Sequence, residues 1–185
     1  GDVLALLQPF AGELPTDALD GYRLPQSDGR SNRRNLRAAA RLLNEAGWQA
    51  DDQGALRNEQ GEAFGFNILL LQGSAEQQAI ANSFIDSVQR LGIEARLTII
   101  DAAQYVERTN EFDFDMTYMF RPMSLSPGNE QTLYWGSAGV DQPGSRNWAG
   151  VNSQAVDAMI TTMVEARSRD GFLAAVRALD RALMD

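Results

Sequence analysis

Asp113 and Asp115 stand two residues apart in a segment of strand-forming residues, an arrangement that puts both carboxylates on one face. Such a pair can act as acid and base in hydrolysis, or as ligands to a hard cation. Calcium asks for about six or more oxygens, and no Asp/Asn/Gly loop of the EF-hand kind lies nearby. Two polar positions at the entrance of a strand are therefore the weightier reading. A second grouping fills residues 114–150, where Tyr118, Phe120, Tyr134, Trp135 and Trp148 alternate with Arg121, Asn129, Glu130, Asp141 and Arg146. A bound peptide needs a carboxylate for its ammonium, a guanidinium for its carboxylate and polar groups for its main chain, all among aromatic walls. Those residue types are present together. The plainer alternative is that the aromatics pack helix ends against a sheet, and for Tyr134 and Trp135 it weighs at least equally.

What is missing narrows the chemistry further. The 185 residues include no His and no Cys, and all 16 basic residues are Arg. Imidazole bases, thiolates, Schiff-base lysines, disulfides and the common zinc sites are excluded. No G-x-S-x-G, G-x-G-x-x-G or Walker loop occurs. We therefore expect no enzyme, no cofactor and no metal. The 25 acidic residues give a net charge of −9, which repels phosphate backbones and anionic lipid, so neither nucleic acid nor peripheral membrane is an expected partner. The Arg30, Arg33, Arg34, Arg37 and Arg41 cluster can bind phosphate, but reads more simply as the solvated face of a helix.

These groups must be positioned by a fold, and the pattern indicates an α/β one. Residues 1–32 read as a short helix followed by an extended, proline-rich arm packed along the domain surface. Asn32 is placed to cap a helix carrying Leu36, Ala39, Ala40, Leu43 and Ala46, stopped at Gly47. Residues 55–57 and 64–71 read as a hairpin, with Ile68, Leu69, Leu70 and Leu71 buried on both faces. Ser74 opens a helix whose stripe is Ile80, Phe84, Val88 and Leu91. A strand over 94–100, a short helix capped by Asp101 and a strand over 112–120 follow. Strand, helix, strand, helix, strand implies a parallel sheet. Ser126 and Pro127 open a short helix ended by Gly136, Ser153 caps the next helix, and Asp170 caps the last.

Several segments then become familiar in order and spacing. NLRAAARLLNEAGW, ALRNEQGEAFGFNILL, FIDSVQRLGIEARL and AAQYVERTNEFDFDM are followed by SPGNEQ, YWGSAG and NWAGVNSQAVDAMI. Together they resemble the solute-binding proteins of peptide ABC importers, family 5, most closely the microcin C and oligopeptide branch. The likeness covers nearly the whole chain. It implies one lobe of a periplasmic binding protein type II-like fold, with a mixed, mostly parallel sheet flanked by helices. Residues 1–32 would be the connecting arm and 33–185 the ligand-binding lobe of a larger two-lobed protein whose other lobe, return segment and signal peptide lie outside this fragment. It also implies capture of a peptide or peptide-like solute by hinge closure, delivery to a membrane permease, a periplasmic location and a monomer. Arg121, Asn129, Glu130, Arg146 and Trp148 would line this lobe's side of the cleft. Several family members pair an aspartate with the ligand's amino terminus, where this sequence has Met123; Glu130 or Asp141 would replace it. Two other readings stand beside this one: a hydrolase built on Asp113 and Asp115, and a protein-interaction domain with no small ligand.

Overall fold

The computed structural model describes residues 2–22, 24–26, 32–121 and 126–184. In chain order the elements are α1 (Asp2–Leu7), a 3-10 turn (Gln8–Phe10), α2 (Thr16–Asp20), α3 (Arg33–Glu45), β1 (Gln49–Ala50), β2 (Leu56–Arg57) and β3 (Gly65–Leu71). Then come α4 (Ala75–Gln89), β4 (Glu94–Ile100), α5 (Ala102–Asn110), β5 (Met116–Thr117), α6 (Glu130–Trp135), a 3-10 turn (Ser137–Gly139), α7 (Gln154–Val164) and α8 (Arg169–Leu183). Contacts divide the chain into two compact units, Pro25–Phe120 and Gly1–Leu24 with Arg121–Asp185.

The Pro25–Phe120 unit is built on a parallel sheet of order β4-β3-β5, with Gly65 opposite Glu94 and Leu71 opposite Ile100. The apolar run of β3 takes the centre, where Ile68, Leu69 and Leu70 are all buried. Helix α4 crosses between β3 and β4, with Ser74 Oγ accepting from Gln77 N–H at its start. Its buried residues are Ala81 and Ile85, with Val88 packed beside them, whereas Ile80 and Phe84 are exposed. The expected stripe is thus rolled by about one residue towards Ala81 and Ile85, with Val88 common to both. Phe84 instead meets Phe66 at the flank, ring centroids 6.2 Å apart.

The hairpin expected from 55–57 to 64–71 is present at its turn end, where Arg57 bridges Ala63, Phe64 N–H donates to Leu56 O and Asn58 N–H to Glu62 O. Leu56 and Arg57 pair in addition with Ala50 and Gln49, which the sequence reading did not include. Asp51 shapes that second pairing. Its Oδ1 accepts from the N–H groups of Gln53 and Ala55, and its Oδ2 pairs with Arg57 Nε at 2.8 Å, closing a local hairpin over 49–57. The strand expected over 112–120 is reduced to Met116 and Thr117, opposite Ile68 and Leu69. Phe112 has φ +56°, and Asp113 N–H returns to Arg108 O, so the end of α5 takes residues that extended pairing would need. Helix α3 ends as expected, with Trp48 N–H on Leu43 O and Gly47 N–H on Asn44 O, a Schellman pair of bonds. Its start differs, since the Asn32 side chain makes no capping bond.

Asp101 Oδ1 accepts from Gln104 N–H and Ala103 N–H and opens α5. These bonds, that from Gln104 foremost, hold its carboxyl below the usual carboxylate range. A depressed folded-state pKa stabilises the fold above the unfolded value and loses that contribution as pH falls through the folded one. Thermal melts of Asp101→Asn and the parent are expected to differ at neutral pH and to converge as the pH falls below the ordinary range of an aspartate.

The unit formed by Gly1–Leu24 and Arg121–Asp185 is helical. Leu7 of α1, Val156, Met159, Ile160 and Met163 of α7, and Ala175, Ala178 and Leu179 of α8 form its core. Part of the expected surface arm therefore contributes to the interior, and within it Thr16–Asp20 form α2 rather than extended chain. Pro15, at φ −62° and ψ 158°, leads directly into the first turn, and Ala18 is fully buried. Arg181 Nη1 donates to Leu19 O at 3.3 Å and ties α2 to α8. Ser153 caps α7 as expected, and Glu13 also receives Ser153 Oγ–H. Helix α8 is capped by Ser168, through Gly171 N–H at 3.1 Å, and not by Asp170, which sits in the first turn. There its charge suits the helix dipole.

Candidate functional site

All five residues expected to face a ligand lie between Arg121 and the start of α7. Arg121 follows the last described residue of the sheet unit and lays its guanidinium over two rings of α6. Its Cζ is 4.0 Å from the centroid of Trp135 and 4.6 Å from that of Tyr134. Tyr134 is buried and Trp135 half-buried; Trp135 packs on the helical core rather than against a sheet as the plainer reading has it, and both rings also hold a cation. Burial pulls the Arg121 pKa below its ordinary value, an effect that Tyr134 opposes.

Helix α6 begins at Glu130, with Asn129 in the capping position, later than a start at Ser126 and Pro127 would give. Glu130 bends back so that its Oε1 accepts from Gly128 N–H at 2.8 Å and from Gln131 Nε2 at 3.2 Å. The Gly128 bond foremost, with the Glu130 N–H and the Gln131 amide, holds its carboxyl below the usual carboxylate range. Gln131, almost fully buried, accepts Trp135 Nε1–H at 3.0 Å on its other end. A continuous chain of contacts therefore runs from Gly128 through Glu130, Gln131 and Trp135 to Arg121. Met123, Pro122 and Ser124 lie outside the described residues, as does Arg30.

Arg146 and Trp148 stand on a separate loop, over 136–151, on either side of Asn147. Arg146 is exposed and makes no ion pair among the described residues; Trp148 is half-buried. Asn147 is 1% exposed. Its Nδ2 donates to Gly136 O at 3.1 Å and Val151 O at 2.9 Å, and its Oδ1 accepts from Val151 N–H at 3.0 Å. Ser137 N–H donates to Asp157 Oδ1 at 3.0 Å and its hydroxyl bonds to Asp157 Oδ2, fixing the loop to α7. Asp141, the other carboxylate considered for a ligand ammonium, is exposed on this loop at φ +54°. Sequence reasoning missed Gln131, Asn147 and Asp157. Each is a single polar residue with no pattern around it, and nothing in the sequence marks it out.

The alternative pair is accounted for by its neighbours. Asp113 is bound to Arg108 Nε at 2.7 Å, and Asp115 Oδ2 accepts Asn67 N–H at 2.8 Å. Neither lies in a strand, and each carboxylate already holds a partner of its own.

Residues 9–142 match the family described as bacterial extracellular solute-binding proteins, family 5 Middle. The chain belongs to this family. A family 5 relative from Agrobacterium fabrum, named as a probable peptide-binding protein, YejA, is 36% identical over all of this chain and 30% of its own length. The fold is shared with solved binding proteins. The oligopeptide-binding protein AppA of Bacillus subtilis, in complex with a nonapeptide, matches 98% of this chain and 37% of its own at a TM-score of 0.70 and 20% identity. A periplasmic oligopeptide-binding protein of a Thermotoga maritima ABC transporter matches 92% of this chain and 31% of its own at a TM-score of 0.75 and 16% identity. The chain spans 23% to 30% of the length of the curated relatives it matches. Family 5 membership makes this a part of a binding protein rather than an enzyme. No helix among its described residues is long and apolar enough to cross a membrane.

Proposed function

We propose that this chain is the part of a family 5 binding protein that captures oligopeptides, or peptide-like solutes, outside the cytoplasmic membrane for delivery to an ABC permease. Residues 33–185 belong to one lobe of that protein, residues 1–32 connect to it, and the protein acts as a monomer that closes on its ligand. The observation that carries the reading is the Arg121 guanidinium stacked on Trp135 and Tyr134, two residues from a helix headed by the anionic Glu130. A fixed cation and a fixed anion on one short scaffold suit a zwitterionic chain, whose ends carry opposite charges. Arg146 adds a second guanidinium and Trp148 an apolar surface, while Asn129 offers an amide for main-chain groups. Capture needs no acid, base or nucleophile, and the sequence holds no His, Cys or Lys to provide the usual ones.

The test is titration calorimetry of the whole protein with a defined pentapeptide mixture. Arg121→Ala and Arg146→Ala are each expected to weaken binding by about tenfold or more, the scale of a charge-assisted hydrogen bond. Arg146 is exposed and unpaired among the described residues, so its replacement leaves folding intact and isolates the binding effect. Unchanged affinity in both variants would remove these residues from the site. A parent protein that ignores the whole mixture would remove peptides as the ligand.

A further inference from the structure

We propose that the outward face of α3 is a docking surface for anionic phospholipid headgroups. Arg33, Arg37 and Arg41 recur at four-residue spacing and Arg34 lies beside them, so the four guanidiniums fall on an arc of about 100° along about 12 Å of helix. All four are exposed, and the half-buried residues of α3, Asn35, Leu36, Ala39 and Leu43, lie on the opposite side. Only Arg41 has an ion pair among the described residues, with Glu45 at 2.7 Å. Residues 30–41 hold five of the chain's 16 Arg and no acidic residue, in a protein of net charge −9.

The position of these charges is a second, independent sign. Arg33 and Arg34 occupy the first turn of α3, where the helix dipole favours anions, and that turn has no acidic residue and no side-chain cap. The other long helices of the chain carry side-chain caps at Ser74, Asp101, Ser153 and Ser168; α8 also opens on an arginine, Arg169, but follows it with Asp170. Two first-turn guanidiniums with no ion pair among the described residues and no side-chain cap beside them cost helix stability, which points to a residue choice made for something outside the chain. The arc carries no aromatic or aliphatic anchor at its centre, and protein partners are held mainly by such anchors. A flat, repetitive phosphate surface suits a row of guanidiniums, which grip phosphate through two hydrogen bonds each. The overall negative charge does not forbid this, because at physiological salt charges beyond about 8 Å are screened and the local face decides.

The experiment is co-sedimentation of the whole protein with vesicles containing phosphatidylglycerol, against pure phosphatidylcholine vesicles. Binding to the anionic vesicles alone is expected, fading between about 50 and about 300 mM salt. The triple variant Arg33→Glu, Arg37→Glu and Arg41→Glu is expected to lose at least about a hundredfold in partitioning. Arg33→Glu puts a carboxylate in the first turn of α3, where it favours the helix, whereas Arg41→Glu removes the pair with Glu45. The variant's helicity is therefore checked by circular dichroism, and a charge-neutral Arg33→Gln, Arg37→Gln and Arg41→Gln variant, expected to lose binding as well, is measured beside it. A control with Arg90, Arg96 and Arg167 changed to Glu has the same net charge and should bind as the parent does. Equal binding to both vesicle types, or retained binding by the α3 variant, would overturn the proposal. So would a triple variant that is unaltered on lipid but no longer binds a purified permease, which would assign the face to an acidic protein surface. None of these readouts involves a peptide, so they stand apart from the test of ligand capture.

Discussion

Gly92→Ala is expected to destabilise the Pro25–Phe120 unit by about 3–5 kcal/mol, read as a shift of the denaturant midpoint. Gly92 closes the turn after α4 at φ +85°, and its carbonyl accepts Leu56 N–H at 2.9 Å. A Cβ placed there lies 2.2 Å from Gly54 O and 3.0 Å from Leu56 N, both backbone atoms that cannot swing aside. The β1–β2 hairpin would have to leave the end of α4, taking with it the Asp51 network that shapes it. Gly47→Ala separates the two costs. Gly47 also has a positive φ, +90°, but a Cβ there meets nothing within 4 Å. That substitution should cost only the backbone penalty, about 1 kcal/mol. Equal shifts for the two variants would mean that the contact with Gly54 contributes nothing.

The contrast between these glycines also shows what a sequence can and cannot reveal. Both are legible as helix stops, because each follows a periodic stripe; that Gly92 also receives a hairpin from forty residues earlier is written in no local pattern. The same division runs through the fold. Caps at Ser74, Asp101 and Ser153 and the buried run of β3 are local facts of spacing and composition, and they appear where the sequence puts them. Which face of α4 is buried, that of Ala81 and Ile85 rather than of Ile80 and Phe84, is settled by its packing on the strands, which no stripe encodes. The second pairing of β2, with Gln49 and Ala50, depends on Asp51 binding Gln53, Ala55 and Arg57 at once.

At the site, the aromatics and charges of 121–148 are readable as a group because their types are unusual for one segment. Their mutual placement is not, since Arg121 meets rings that lie 13 and 14 positions further along the chain, and Arg146 and Trp148 flank an asparagine held by other bonds altogether. Polar residues in loops give no periodicity. Asn147 therefore looks like any turn residue, although its burial is as complete as that of Val156 in the helical core.

That burial makes Asn147→Ala the second large effect. The substitution removes three side-chain hydrogen bonds and leaves the Gly136 and Val151 backbone groups short of partners in a buried place. A cost of about 3 kcal/mol is expected, since each unsatisfied buried group costs about 1–3 kcal/mol. The Ser137 to Asp157 bonds hold the other end of the loop and do not depend on Asn147, so the damage should be concentrated in 139–151. Trypsin reports it directly. The exposed Arg146 offers a cleavage site whose next residue is Asn147 itself, and the bond is protected while that side chain stays buried. If opening is local, about 3 kcal/mol raises the population of open loop, and with it the cleavage rate after Arg146, by about a hundredfold. Cleavage at Arg90 or Arg96, in the other unit, should keep its parental rate. Should the Arg146 bond be cut no faster in the variant, the loop is held by Asp157 alone, and Asn147 has no part in presenting Arg146 and Trp148 to a ligand.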